Sequence, residues 1–380
     1  MSKRRGNREG SVYQRADGRW TGAITIGGGR TRQIRKQVYG RTREEVAGKL
    51  QELQHQAKTG TLPKDGRITV TQFADQWLEE KRLTVRPSTL RDYDLALRVH
   101  ILPSFGSRKL TSITTSDVQG WYAGLSAGGL KPISVRDYSS RFSAMLARAV
   151  ELDLLVKNPC SAAKLPRIPR RDLPILTGPE MRVLLKAAAG DRLEALLVVA
   201  LTTGIRQGET LALQWDRVDL DEGVLSITKT LKAVPGDGFT LVEPKTSSAV
   251  RKVVLAPMAV DALRRHRIRQ SEEALALGKA WDNQYRLVFS NEVGGFISQS
   301  NLVSRHFKKW LATAGLPRTV RWHDLRHTAA SILLSKGVPV PTVSQMLGHA
   351  DPSITLKTYS WAVPGDQALA ATAMESLLAG

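Results

Sequence analysis

One stretch constrains this chain more than any other. Residues 323–359 read HDLRHTAASILLSKGVPVPTVSQMLGHADPSITLKTY. His323 and Arg326 stand three residues apart at the start of an apolar run (Ala329, Ala330, Ile332, Leu333, Leu334), a spacing that puts both on one helical face. Gly337 is placed to cap that helix, and Pro341 fits the first turn of a second, short one. The second helix should end at Leu347, Gly348 and His349, with Tyr359 ten residues further on, past a proline-containing turn. Taken singly these residues say little, since a tyrosine is usually packing and a histidine beside an arginine is usually structural. Taken in order, they are a set of side chains that can all bond to a phosphate.

The composition points the same way. The 380 residues are enough for two or three domains, and at 42% hydrophobic they can build sizeable cores. A formal net charge of +21 exceeds what solubility needs and implies a polyanionic partner, nucleic acid first. An anionic membrane is the weaker reading, because no basic amphipathic helix with bulky aromatics stands out. No apolar run approaches the ~18 residues of a membrane span. The opening MSKRRGNREG is basic but has no apolar segment behind it, so a cytoplasmic protein is expected. The single cysteine, Cys160, excludes an internal disulfide and any zinc site built on several cysteines. No phosphate-binding G-x-x-x-x-G-K-[ST] loop and no acidic cluster suited to two metal ions is evident. No metal or cofactor is therefore expected.

Read in order, the chain predicts a multidomain α+β protein. Residues 1–60 form a small sheet followed by a helix. Residues 12–14, 20–26 and 32–38 read as strands, and Thr42 with Glu45 caps a helix running to about Lys58. Residues 1–66 carry fifteen Lys/Arg against six Asp/Glu. Arg30, Arg32, Arg35 and Lys36 lie on or beside one strand, a candidate DNA-binding face. Residues 68–155 read as an all-α bundle. Phe73, Trp77 and Leu78 recur at helical spacing, and a second helix from Pro87 ends at residues 100–103 before a loop. Thr114 with Asp117 caps a third helix, and a last one covers residues 134–150. Trp77, Trp121 and Tyr122 are expected in its core.

Residues 156–173, with Arg167, Arg170 and Arg171, read as an extended basic linker able to track phosphates without reading bases. From residue 174 to 380 the chain reads as mainly helical with a small sheet. It has a helix opened by Thr177 and Glu180, a buried apolar helix over 192–202, a hairpin around 218–230, a second β pair around Ser247 and Ser248, and a final helix over 366–378.

The order H-x-L-R-H, then L-G-H, then Tyr resembles the signature of the tyrosine recombinases, the phage-integrase family. Further upstream, TGIRQGE and EPKTSSAVRKV fit the same pattern. The resemblance implies that Arg206 and Arg326 contact the scissile phosphate, that Tyr359 is the nucleophile, and that Lys245 protonates the leaving 5′-oxygen. It implies phosphate contacts for His323 and His349, with His323 assisting proton transfer at the tyrosine. Glu209 takes a supporting role, and His327 reads as structural. Residues 1–60 resemble the arm-type-site-binding domain of integrases, and residues 68–155 the core-binding domain. The implied partners are double-stranded DNA at core and arm attachment sites and three further copies in a homotetramer. A host DNA-bending protein and an excision factor follow from the same resemblance, with no membrane. A DNA-binding regulator with a dead site and a type IB topoisomerase are the alternatives. The intact Tyr359 argues against the first and the arm-like unit against the second.

Overall fold

The computed structural model describes residues 10–26, 34–58, 67–169, 174–234, 236, 238–244, 247–363 and 367–378. The chain divides into two compact units, Met1–Arg170 and Arg171–Gly380.

The first unit opens with an antiparallel sheet in the order β1-β2-β3: β1 (Ser11–Gln14), β2 (Trp20–Ile26) and β3 (Ile34–Gly40). Gly18 takes a left-handed φ of +79° in the first turn, and its N–H reaches the Arg15 carbonyl at 3.0 Å. The third strand runs two residues past the expected end, because Tyr39 and Gly40 continue the pairing as far as Trp20. Helix α1 (Arg43–Lys58) covers the sheet. Its Val46 and Leu50 are buried, as are Ala23 and Ile24 on β2. The helix can lie this close because Gly22 has no side chain: a Cβ there would sit 2.9 Å from Val46 Cγ1. The expected capping box is shifted by one residue. The Glu45 N–H does donate to Thr42 Oγ1 (3.2 Å), but its carboxylate accepts from the Arg41 N–H (2.9 Å).

A helical bundle follows. It comprises α2 (Val70–Arg82), α3 (Pro87–Ala96), α4 (Leu102–Phe105), α5 (Thr115–Ala127) and α6 (Pro132–Glu151). Thr69 with Gln72 caps α2, and Thr114 with Asp117 caps α5, both as reciprocal boxes. Trp77, Trp121 and Tyr122 are buried, with Phe73, Phe105 and Phe142 around them. The second helix does not stop at residues 100–103. It widens into a π-helical turn over Leu97–Ile101, where the Leu102 N–H reaches back to Leu97, and resumes as α4. Pro103 follows directly on the π turn, in the first turn of α4. Cys160 is buried in this bundle's core.

The second unit begins with α7 (Gly178–Ala187), capped by Thr177 and Glu180. The apolar α8 (Glu194–Thr203) packs against later helices on several sides, as a helix hydrophobic all round must. Next come α9 (Gln207–Thr210), β4 (Val218–Asp219), β5 (Val224–Ile227), β6 (Thr230–Val234), β7 (Gly238–Val242) and β8 (Arg251–Val254). The pairing differs from expectation. β8 closes a sheet in the order β4-β5-β8, while β6 and β7 form a separate hairpin, so no β pair is built around Ser247 and Ser248. The alternation of Arg251, Val253 and Leu255 inward suits β8 to the face of β5 that carries Leu225 and Ile227. The rest is helical: α10 (Pro257–Leu277), α11 (Gln299–Asn301), α12 (Lys308–Thr313), α13 (Trp322–Ser335), α14 (Val340–Leu347), α15 (Pro352–Tyr359) and α16 (Gln367–Leu378). Among the described residues no helix is long and apolar enough to cross a membrane.

Candidate active site

Two chain reversals in the second unit, at Gly204 and Gly348, bring phosphate-binding candidates together. α8 ends at Gly204 in the left-handed region (φ +62°), where a Cβ would press on Leu347 and Ala329. The turn aims the Gly204 carbonyl at α13, and Arg326 Nη1 donates to it at 2.9 Å. Two residues later Arg206 stands at the start of α9. Its backbone N–H (3.0 Å) and its Nη1 (2.8 Å) both donate to the Glu209 carboxylate.

Glu209 is buried and holds a second arginine. Arg251 Nη2 lies 2.9 Å from Oε2, the oxygen that also accepts the Arg206 N–H, with side-chain exposures of 4% and 5%. Arg251 also donates to the Met346 and Ala249 carbonyls (2.7 and 3.0 Å), tying β8 to the end of α14. Glu209 stays ionised despite burial, because Arg251 and then Arg206 hold its carboxyl below the usual range.

α14 ends at Gly348, again left-handed (φ +68°), and presents His349. Arg326 Nη2 donates to His349 Nε2 (2.9 Å) and to the Leu347 carbonyl (2.8 Å). Because a guanidinium can only donate, Nε2 must accept. The proton is therefore on Nδ1, which donates to Thr355 Oγ1 at 2.7 Å. Burial first, then Arg326 and Arg206, pushes His349 down to about 4, so the ring is neutral near pH 7.

Tyr359 closes α15. Its ring is buried with Ala330, Leu334, Val343 and Leu347, and its Oη lies 2.7 Å from His327 Nδ1. Burial raises the phenol above its ordinary 10, while the charge on Arg326 pulls it back. His323 is exposed at the start of α13, edge-on to His327 with ring centroids 4.9 Å apart. Its pKa is lowered by desolvation and then by Arg326.

The charge balance is uneven. Arg206, Arg251 and Arg326 share one carboxylate, Glu209. The result falls on Arg326, which burial and then Arg206 drag down to about 9. Its own hydrogen bonds go to two carbonyls and an imidazole, none of them an anion. A cavity of about 1040 Å³ in this unit is lined by Asp216, Asp219, Lys252 and Arg264 among others and contains none of the residues above. A polymeric substrate needs no enclosing pocket.

The Phage integrase family matches residues 175–362, and the phage integrase N-terminal SAM-like domain matches residues 69–126. A tyrosine recombinase XerC-like protein of Caldanaerobacter subterraneus subsp. tengcongensis is 30% identical over 362 residues, spanning 90% of this chain and 92% of the relative. The chain belongs to the phage integrase family. It is thus a tyrosine recombinase, an enzyme that cuts and rejoins DNA strands. Its fold is that of the Tn1549 transposon integrase in complex with a circular intermediate DNA (TM-score 0.69, 21% identity, 82% of this chain and 99% of that one). It is also that of a lambda integrase tetramer bound to a Holliday junction (TM-score 0.56, 18% identity, 94% and 96%).

Within this phage integrase, Arg206, Glu209, His323, Arg326, His349 and Tyr359 all fall in the second unit, joined by the contacts above. Lys245 lies outside the described residues, as do Arg30, Arg32, Arg170 and Arg171, and so do the side chains of Arg35 and Lys36. Arg167 is described in the first unit, exposed. Two residues that the sequence does not single out belong to the site: Arg251 pairs Glu209, and Thr355 fixes the His349 tautomer. His327, read from the sequence as structural, meets Tyr359. Strand alternation marks Arg251, a charge at an inward position beside Val253. Nothing in the sequence marks Thr355.

Proposed function

We propose that this recombinase integrates and excises a phage or other mobile element through a 3′-phosphotyrosine formed by Tyr359. The observation that carries the proposal is geometric: the buried Arg326 guanidinium is held by two carbonyls and His349, and His327 of the same helix meets the Tyr359 hydroxyl. Burial and then Arg206 pull Arg326 down to about 9, and burial raises the Tyr359 phenol while Arg326 pulls it back. A phosphodiester is the anion these cations meet.

In this reading Arg206 and Arg326 hold the non-bridging oxygens as the phosphorus gains its fifth ligand. His349, neutral with its Nε2 accepting from Arg326, steadies that guanidinium. His323 adds a contact from the open side. Glu209 fixes Arg206 in place. Lys245 protonates the departing 5′-oxygen. The phosphotyrosyl bond keeps the phosphodiester's energy, so strands rejoin without a nucleotide cofactor.

The wider assignments follow the same reading. Residues 1–60 bind arm-type sites, residues 68–155 bind the core site, residues 156–173 follow the backbone between them, and residues 174–380 carry out the chemistry. Four copies act on two duplexes, as the tetrameric relative on its junction suggests. A host bending protein and an excision factor set the direction. The work takes place where the bacterial chromosome is, in the cytoplasm.

The test is a nicked duplex carrying the junction recovered from the DNA that flanks the gene. The wild type should trap a covalent adduct, and Tyr359→Phe should trap none. Equal trapping by both would place the nucleophile elsewhere.

A further inference from the structure

We infer that His327, on the inner face of α13, takes the phenolic proton of Tyr359 as the tyrosine attacks phosphorus. The inference rests on Tyr359 being the nucleophile. It gives the proton-accepting role to a different histidine from the one the signature suggests.

The geometry separates the two candidates. His327 Nδ1 is 2.7 Å from Tyr359 Oη. His323 makes no hydrogen bond to that oxygen among the described residues, and its ring meets His327 instead. A phenol O–H is a good donor and an imidazole nitrogen a good acceptor, so the pair sits as O–H to Nδ1, with the His327 proton on Nε2. α13 is anchored by Arg326 to the Gly204 and Leu347 carbonyls, while Tyr359 is seated on Ala330 and Leu334 of α13 and on α14. Acceptor and donor are thus held by the frame that holds the phosphate-binding arginine.

The charges around His327 are His323, Asp324 and Arg326 on α13, Arg321 at its cap, Tyr359 on α15 and His349 after α14. Burial and the cations push it down to about 4, so it is unprotonated and able to accept near pH 7. As a free base it would be weak. An anionic phosphate set against Arg326 cancels part of that repulsion and raises its basicity at the moment the phenol must lose its proton. The step balances. Tyr359 Oη bonds to phosphorus, and its proton moves to Nδ1 to give an imidazolium. The bond from phosphorus to the 5′-oxygen breaks, and that oxygen takes a proton from Lys245. Rejoining returns the proton to the phenolate.

The experiment is single-turnover cleavage of the nicked junction duplex by the full-length chain between pH 6 and pH 9.5. Tyr359→Phe is the control for the nucleophile: an adduct with it sinks the reading beneath this inference, whatever His327 does. With that control silent, His327→Asn, which keeps a polar group at the Nδ1 position, should cleave about 10²-fold more slowly at pH 7. The deficit should shrink as pH rises and the phenol ionises unaided. Replacing the scissile 5′-oxygen with sulfur, which dispenses with the acid, should not restore the rate. Wild-type speed in the variant, a deficit equal at every pH, or rescue by sulfur would each overturn the assignment. Should the variant not fold, the wild type decides alone. On the sulfur substrate the only proton still in transfer is the tyrosine's, so a solvent deuterium isotope effect should persist, and its absence overturns the proposal.

Discussion

At the scale of single residues, Arg251 makes the clearest case. It is as buried as the leucines around it, and its charge is met by Glu209 and two carbonyls. Removing one partner of such a pair leaves the other charged and dry, at a cost of about 3–5 kcal/mol. Arg251→Met should therefore lower the melting temperature markedly. Arg251→Lys should recover only part of the loss, since an ammonium cannot fork between a carboxylate and two carbonyls. An unchanged melt for Arg251→Met would mean that Glu209 is satisfied without it. The histidines give a pH prediction. His327 and His349 fall to about 4 in the native state, below the ordinary 6.5 that the unfolded chain retains. Between those values the unfolded state binds more protons, so stability is full above about pH 6.5 and is lost as pH falls toward 4. The melting temperature should drop steadily over that window. A variant with Asn at both positions should show a shallower slope. The residues that could be read from sequence were those whose order is distinctive, Arg206, Arg326, His349 and Tyr359. His327 reads as structural from the sequence, because which of two histidines four apart on one helix meets the tyrosine is settled only where Tyr359 lies.

At the scale of elements, the site depends on how helices end. Gly204 and Gly348 both stop a helix in the left-handed region, and each delivers a functional group within two residues. Gly337 stops α13 in the same conformation (φ +79°) but faces open space. The pair Gly348→Ala and Gly337→Ala therefore separates two effects. Both variants meet the left-handed backbone penalty of about 1–2 kcal/mol. Only Gly348→Ala also drives a Cβ to 2.7 Å from Arg251 Nη1. Gly348→Ala should melt lower than Gly337→Ala and form less covalent adduct, because His349 and Arg251 shift together. Matching melts for the two would show that the Arg251 side chain yields without cost. Helix caps such as Thr114 with Asp117 and Thr177 with Glu180 were legible because they are local. The β8 partner and the π turn at Leu97–Ile101 were not, since the first is set by a strand more than twenty residues away and the second has no local sequence mark.

At the scale of the whole molecule, the charge of +21 sets how tightly and how salt-sensitively the chain holds DNA. Each phosphate neutralised releases counterions, so log K falls against log salt with a slope of about −0.9 per contact. Over residues 1–66 basic side chains outnumber acidic ones by fifteen to six, and the residues that would face the backbone there are Arg30, Arg32, Arg35 and Lys36. Changing these four to glutamine in the full-length chain removes charge without touching α13–α15. If each contacts one phosphate, the slope on DNA carrying the junction and its flanks should become shallower by about 3.5. Cleavage of a short junction duplex without flanks should stay as fast as in the wild type. The two readouts must part company for the first sixty residues to be a separate DNA-binding arm. A slope that does not move assigns the basic run to solvent, and a slope that falls together with cleavage of the short duplex makes it part of core binding.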